Sequence, residues 1–280
     1  MPLTTLIDTE TLEHRLADPA VVIVDCRFDL KDAAWGRRAH ETGHIRGAVY
    51  ANLATDMSGK KTGGNGRHPQ PEPAALARTF GTLGIDASCQ VVVYDQDTGI
   101  FASRLWWLLR WLGHDAVAVL DGGFAKWQAE KRPVASGFEA RPPRVFAGQA
   151  RPGWVVNAQE VADAIGRAGT QLLDARSPER FRGENETLDA IGGHIPGAAN
   201  HFFQWNLNAD HTFRTPQEIR ERFRESAGGV PPERIINYCG SGVTACHNLL
   251  ALEHAGLGGS RLYVGSWSEW SSDSRRPIEK

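Results

Sequence analysis

The 280-residue chain predicts an α/β fold built as a tandem duplication, in which each copy is a mostly parallel sheet flanked by helices on both faces. Three observations carry this prediction. The second half repeats the first in the same order of motifs. Short apolar runs such as Val-Val-Ile-Val at 21–24 and Val-Val-Val-Tyr at 91–94 alternate with segments of helical spacing. Such runs suit strands buried on both faces, as in a parallel sheet covered by helices.

The repeat can be followed residue by residue. Ile7-Asp8 opens a segment ending in Val24-Asp25-Cys-Arg27; adding 149 gives Val156-Asn157 and Leu173-Asp174-Ala-Arg176. Asp8 and Asn157 both suit a helix N-cap. Leu12 and Leu16 correspond to Val161 and Ile165, again at helical spacing. Gly43-His-Ile-Arg-Gly-Ala48 becomes Gly193-His-Ile-Pro-Gly-Ala198 at an offset of 150. The strand run at 91–94 returns as Ile235-Ile-Asn-Tyr238, offset 144, and Asp121-Gly-Gly-Phe-Ala-Lys-Trp127 as Val264-Gly-Ser-Trp-Ser-Glu-Trp270, offset 143. Shrinking offsets place small deletions in loops of the second copy. Ordered matches of this length are the signature of a repeat. Prolines at 133, 142, 143 and 152 mark a semi-extended connection. The reading is a first domain over 1–135, a linker over 136–153 and a second domain over 154–280.

Composition narrows the function classes. A hydrophobic content of 41% and a charged content of 23% are ordinary for a globular protein. The net charge of −2 gives no pull toward nucleic acid or an anionic membrane. Charged residues or histidines interrupt every apolar run before it could span a bilayer. No basic-then-apolar leader opens the sequence. Cysteines at 26, 89, 239 and 246 form no C-x-x-C pair and no zinc spacing. A cytoplasmic protein without a metal or organic cofactor is expected, with neither nucleic acid nor membrane as a partner.

Cys239 is the residue that points to chemistry. It follows a strand run and opens Cys239-Gly-Ser-Gly-Val-Thr244, ahead of a helical segment. Such a turn aims backbone N–H groups inward, and the helix N-terminus adds partial positive charge. Both favour a thiolate, hence a nucleophile. The duplication supplies a control: 239 − 144 = 95, and position 95 is aspartate. The first copy keeps the turn, and a helix ending near Gly113 as its counterpart ends near Gly256, without the thiol. The fold therefore does not need Cys239.

Tyrosine-phosphatase chemistry would require an arginine six residues beyond the cysteine, and position 245 is alanine. The loop itself carries no cation. It offers Gly240, Gly242, Val243 and Thr244 as backbone, plus the hydroxyls of Ser241 and Thr244. A terminal persulfide anion would fit such a ring of donors.

Together these motifs resemble a two-domain rhodanese-type sulfurtransferase over nearly the whole length. The resemblance rests on the paired Asp-x-Arg strand ends, the paired Gly-His-Ile-x-Gly-Ala motifs, the glycine–tryptophan segments and a cysteine loop in the second copy only. It implies that Cys239 takes a sulfane sulfur as a persulfide and passes it to a thiol, a thioredoxin-like protein or cyanide, with ping-pong kinetics. Cys-Gly-Ser-Gly-Val-Thr is similar to the 3-mercaptopyruvate branch, whereas thiosulfate-preferring members resemble Cys-Arg-Lys-Gly-Val-Thr. The resemblance further implies that Ser241 works with His68, in Gly66-Arg-His-Pro69, and with Asp56, in Thr55-Asp-Met-Ser-Gly59. An exposed loop histidine and a turn-forming aspartate are the alternative readings of those two. Arg180, in Arg180-Phe-Arg-Gly183, matches the family's substrate arginine and would take a donor carboxylate bidentately.

One departure stands out. A second arginine is usual before the Gly-His-Ile-Pro-Gly motif, yet residues 184–193 hold no Lys or Arg and Leu188 is the closest aligned position. Thiosulfate therefore stays open as a donor, as does a persulfide-carrier role serving a protein partner. Arg27, Arg176, His44 and His194 recur in both copies and read as structural. Cys26 and Cys89 read as packing, and so does Cys246, with a resolving thiol as its alternative. Tryptophans 106, 107 and 111 follow helical spacing and read as core.

Overall fold

The computed structural model describes residues 2–280, which fall into two compact units. The first comprises residues up to Gly59, Pro71–Arg151 and Ala209–Thr212. The second comprises Lys60–Gln70, Pro152–Asn208 and Phe213–Lys280. The sequence division differs at one place that matters: it assigns residues 60–70 to the first copy. In the structure the Arg67 N–H donates to Ser268 Oγ at 3.0 Å, and these residues pack with the second unit.

The first unit carries β1 (Leu6–Ile7), β2 (Val21–Asp25), β3 (His44–Ile45), β4 (Val49–Tyr50), β5 (Gln90–Tyr94), β6 (Val117–Leu120) and β7 (Val134–Ala135). Its main sheet has the order β1-β6-β5-β2-β4 with every pair parallel. An antiparallel pair, β3 with β7, lies beside it in sequence but forms its own ladder. The second unit carries β8 (Val155–Val156), β9 (Gln171–Asp174), β10 (Ala199–Asn200), β11 (Ile235–Tyr238) and β12 (Arg261–Tyr263). Their order is β10-β9-β11-β12-β8, again all parallel. Matching β1 to β8, β2 to β9, β4 to β10, β5 to β11 and β6 to β12 makes the two sheets identical in topology.

The central strands read VVIVD and QVVVY in the first unit, and every residue of both is buried. Burial on both faces is why these runs are continuously apolar rather than alternating. Each unit has its own core, with Leu12, Val92, Tyr94 and Trp127 in one and Val161, Ile236, Tyr238 and Trp270 in the other. Trp106, Trp107 and Trp111 are buried along the helix Ile100–Trp111. The N-caps lie where the sequence puts them. Asp8 accepts from the Thr11 N–H, and Asn157 forms a capping box with Glu160.

The Asp-x-Arg and Gly-His-Ile-x-Gly-Ala motifs turn out to be one construction. Arg27 donates to the buried Asp25 carboxylate and, through Nη2, to the Gly43 carbonyl at 2.6 Å. Arg176 does the same with Asp174 and the Gly193 carbonyl at 2.6 Å. Tyr94 and Tyr238 each accept, through the phenol oxygen, the N–H of Ile45 and Ile195 respectively, both at 3.2 Å. The guanidiniums rest over Phe124 and Trp267, which are equivalent in the repeat. A buried charge of this kind holds only while both partners remain; deleting one would cost about 3–5 kcal/mol. The linker runs along the first unit, where the N–H groups of Gly137, Arg144, Gln149 and Arg151 donate to the carbonyls of Glu41, Gly81, Leu112 and Trp111. Among the described residues no helix is long and apolar enough to cross a membrane.

Candidate active site

Cys239 stands at the C-terminal end of β11, the central strand of its sheet, where parallel α/β folds place their ligands. The chain then turns through Gly240–Val243 and enters the helix Thr244–His254. The Gly242 N–H donates to the Cys239 sulfur at 3.1 Å, which stabilises negative charge there. Gly242 adopts φ +77°, and a Cβ on it would sit 2.4 Å from the Val264 carbonyl oxygen, so only glycine fits. The thiol is buried at 2% exposure. Cys246, in the first turn of the helix, is buried too and donates to the Gly242 carbonyl at 3.2 Å.

A second loop holds the first. The Cys239 N–H donates to Ser266 Oγ at 3.1 Å, and that hydroxyl donates to the Tyr263 carbonyl at 2.9 Å. The N–H groups of Trp267 and Ser268 donate to the carbonyls of Cys239 and Gly240, both at 2.9 Å. The first unit repeats the last two bonds: Phe124 and Ala125 donate to Asp95 and Gln96. The residue equivalent to Ser266 is Gly123, at φ +59°. Ser266 itself sits at φ +54°, an uncommon conformation for a residue with a side chain. The substitution of serine for glycine at this position supplies the hydroxyl that Cys239 uses. Ser266 belongs to no site motif in sequence; the signal that marks it is the exchange of Gly123 for serine at the equivalent position of the repeat.

In the first unit Asp95 fills its own loop. Its carboxylate accepts from the N–H groups of Asp97, Gly99, Phe101 and Ala102 at 2.8–3.3 Å. Burial pushes its pKa up to about 6, against the downward pull of those N–H donors. A fixed side-chain anion thus occupies the donors that a reacting anion would need.

Residues 60–70 bring two side chains onto the cysteine loop. His68 Nδ1 lies 2.8 Å from Ser241 Oγ, and both residues are buried. Arg67 reaches Gly240: its Nη2 is 2.8 Å from where a Cβ on Gly240 would stand, and Arg180 Nη2 is 3.3 Å from the same point. The loop lacks a cation in sequence but not in space. Two guanidiniums converge over the residue next to Cys239, and one of them, that of Arg67, is distant from it in sequence. In sequence Arg67 is only a neighbour of His68 in Gly66-Arg-His-Pro69, with nothing local to mark it as a site residue.

Arg180 is already engaged. Its Nε and Nη2 donate to the two carboxylate oxygens of Glu186 at 3.0 and 2.9 Å, and Nη2 lies 3.4 Å from Asp189 Oδ2. The other Asp189 oxygen pairs with Arg67 Nη1. Burial raises the Glu186 pKa, but the Leu188 N–H and the Arg180 guanidinium outweigh it and hold the carboxyl below its usual range. Arg182 turns to solvent and pairs with Glu184. Leu188 is 44% exposed and contributes only its N–H, to Glu186. Asp56, in the first unit, accepts from the Asn52 N–H at 2.7 Å and the Thr55 hydroxyl at 3.1 Å, as a turn former does. His44 and His194 bond the carbonyls of His40 and Phe181.

The arrangement is a duplicated α/β protein in which the buried Cys239 sulfur accepts the Gly242 N–H, with a histidine–serine pair and two guanidiniums at the next two residues of its loop. The Rhodanese-like domain family matches residues 8–130 and 157–273, and the chain belongs to that family. A "Probable 3-mercaptopyruvate sulfurtransferase" of Pseudomonas aeruginosa is 44% identical across 98% of this chain and 97% of its own length. A thiosulfate sulfurtransferase of Cricetulus griseus is 31% identical across 93% of this chain and 88% of its own. Among solved structures, the 3-mercaptopyruvate sulfurtransferase of Leishmania major superposes with a TM-score of 0.87 at 31% identity, covering 98% of this chain and 76% of that one.

Proposed function

We propose that the chain is a sulfurtransferase that moves a sulfane sulfur from 3-mercaptopyruvate, through a persulfide on Cys239, to a thiol or cyanide acceptor. The observation that carries the reading is the sulfur of Cys239 held by the Gly242 N–H, in the one copy of the repeat whose loop is not filled by its own carboxylate. The family and the relatives above support the same reaction class.

In the first half-reaction the Cys239 thiolate attacks the donor thiol sulfur. An S–S bond forms, the donor C–S bond breaks, and the electron pair leaves on carbon as the enolate of pyruvate. The donor thiol proton ends on that carbon, leaving pyruvate and Cys239–S–S⁻. His68 and Ser241, in hydrogen-bond contact, move the proton and steady the oxygen on which enolate charge builds. Arg180 holds the donor carboxylate. In the second half-reaction the acceptor attacks the outer sulfur and Cys239 leaves as a thiolate. No external oxidant enters either half. The two halves share one enzyme form, so ping-pong kinetics are expected.

The test is mass spectrometry of the intact protein and of its peptides after mercaptopyruvate treatment. Cys239 should gain one sulfur atom, pyruvate should appear in equal amount, and cyanide should remove the sulfur as thiocyanate. Sulfur on Cys246, or turnover undiminished in Cys239→Ser, would sink the assignment. A second donor, thiosulfate, is favoured by one observation: the two guanidiniums over Gly240 suit a dianion as well as a carboxylate. The kcat/KM ratio for the two donors decides between them. If neither donor is turned over, a persulfide carrier for a thioredoxin-like partner is the remaining reading.

A further inference from the structure

We propose that the first unit carries a binding site of its own, for a small carboxylate with an aromatic or branched apolar body, at the guanidinium of Arg27. The site goes beyond sulfur transfer and does not depend on the identity of the donor. It emerges from the duplication. In the second unit every guanidinium nitrogen of Arg176 is engaged: Nε and Nη2 hold Asp174 and the Gly193 carbonyl, and Nη1 donates to Glu186 Oε2 at 3.3 Å. Arg27 repeats all of these bonds except the last. Among the described residues its Nη1 has no hydrogen-bond partner, although the side chain is only 7% exposed. The repeat explains the difference. Glu186 corresponds to position 37 or 36 (186 − 149 or 186 − 150), and these are Arg37 and Gly36 in the helix Trp35–Thr42. The first copy lacks the internal carboxylate and keeps the nitrogen that would receive one.

A cavity at that guanidinium gives the ligand its shape. It measures about 450 Å³, within the range of small-molecule sites. All of its lining residues belong to the first unit, and none of them is acidic. Trp35, Ala39, Phe124 and Val134 supply apolar walls, and the Arg27 guanidinium stands 4.1 Å over the Phe124 ring. Arg38, paired with Asp32 at the surface, brings a second guanidinium to the lining. The second unit shows what such a pair of cations takes: Glu186 accepts from Arg176 and from Arg180 together. A carboxylate from outside would make the bond on Arg27 that Glu186 makes on Arg176, charge-assisted and shielded from water. Its apolar body would lie between the aromatic walls. A neutral ligand leaves the Arg27 N–H poorly matched, and a carboxylate without an apolar body leaves the walls wet.

The experiment is calorimetric titration of the full chain with phenylacetate, its neutral isostere phenylacetamide, and acetate. Phenylacetate should bind with a Kd on the order of 0.1–1 mM. Phenylacetamide and acetate should each bind at least about tenfold more weakly, one for want of the charge and the other of the apolar body. No binding of phenylacetate to wild type overturns the site outright. Equal affinity for the amide overturns anion recognition, and equal affinity for acetate overturns the apolar cavity. Two variants of one lining residue locate the binding. Ala39→Glu sets a carboxylate into the lining, and Ala39→Gln matches it in size without the charge. Phenylacetate should bind the Glu variant at least about tenfold more weakly than the Gln variant; equal affinity in the two overturns the placement. Arg38→Gln, at an exposed position that tolerates exchange, should weaken binding about threefold, and wild-type affinity there overturns the second cation. Arg180→Ala should bind phenylacetate as wild type does. Loss of binding in that variant would assign the ligand to the cysteine loop and overturn a site in the first unit.

Discussion

His68 Nδ1 and Ser241 Oγ are 2.8 Å apart, although 173 positions separate them in sequence. Only the packing of residues 60–70 with the cysteine loop makes that contact. Its chemical consequence is specific to a carbonyl donor, because only mercaptopyruvate leaves as an enolate that must take up a proton. His68→Ala and Ser241→Ala should each lower kcat with mercaptopyruvate by about a hundredfold. Loss with thiosulfate should stay within a few-fold. Equal losses with the two donors, measured under saturating cyanide, would remove proton handling from the pair.

Two glycines of one loop should respond oppositely to alanine. A Cβ on Gly240 meets the ends of Arg67 and Arg180, which are long side chains able to swing away. Gly240→Ala should fold with near-normal stability and show a raised donor KM. A Cβ on Gly242 meets the Val264 carbonyl oxygen at 2.4 Å while the backbone sits at φ +77°. Gly242→Ala should lose at least about 1–3 kcal/mol from strain alone and lose persulfide loading with it. Urea melts and mass spectrometry of Cys239 separate the two cases.

Ser266 should carry a cost that its position does not advertise. Ser266→Ala strands the buried Cys239 N–H and keeps the positive φ, which predicts a loss of about 1–3 kcal/mol. Ser266→Gly strands the same N–H but relieves the backbone, as glycine does at position 123. Glycine should therefore be the milder substitution in a denaturant melt. The reverse order would mean that the hydroxyl bond is not what Ser266 supplies.

His201 should give the second unit a pH-dependent stability. Burial holds its pKa down at about 4 from 6.5, with Ser226 and Asn206 on its two ring nitrogens and Phe223 stacked against it. Between those two values the unfolded chain binds the proton and the folded one does not. Stability is then fully present above pH 6.5 and falls as pH drops toward 4, by up to roughly 3 kcal/mol. His201→Gln should flatten that part of the curve. Melts across this window that keep the same slope in the variant would assign the acid sensitivity elsewhere.

Asp95 should prove structural. Asp95→Ala leaves four inward-pointing N–H groups without their acceptor, at 2.8–3.3 Å. A loss of at least about 2 kcal/mol is expected, with donor KM unchanged in the protein that remains folded. A donor effect without destabilisation would contradict this.

Much of the molecule is determined by sequence alone, because its strongest signals are local or duplicated. Alternation of apolar strands with amphipathic helices defines the sheet and its layers. Asp25, Arg27 and the Gly43–Ala48 motif recur in both copies in the same order, which marks them as framework before any contact is seen. The contrast of Cys239 with Asp95 singles out the one loop able to host a reacting anion. What the tertiary structure alone decided are contacts between residues distant in sequence. It assigned residues 60–70 to the second unit, so that Arg67 and His68 face Gly240 and Ser241. It supplied the cations that the Cys239–Thr244 string lacks. It showed Ser266 holding the Cys239 N–H from the loop after a neighbouring strand. Periodicity and motif spacing describe how a segment meets its own neighbours along the chain. Which guanidinium stands over Gly240 depends on how distant segments pack onto the cysteine loop, and Arg67 carries no local pattern that announces it.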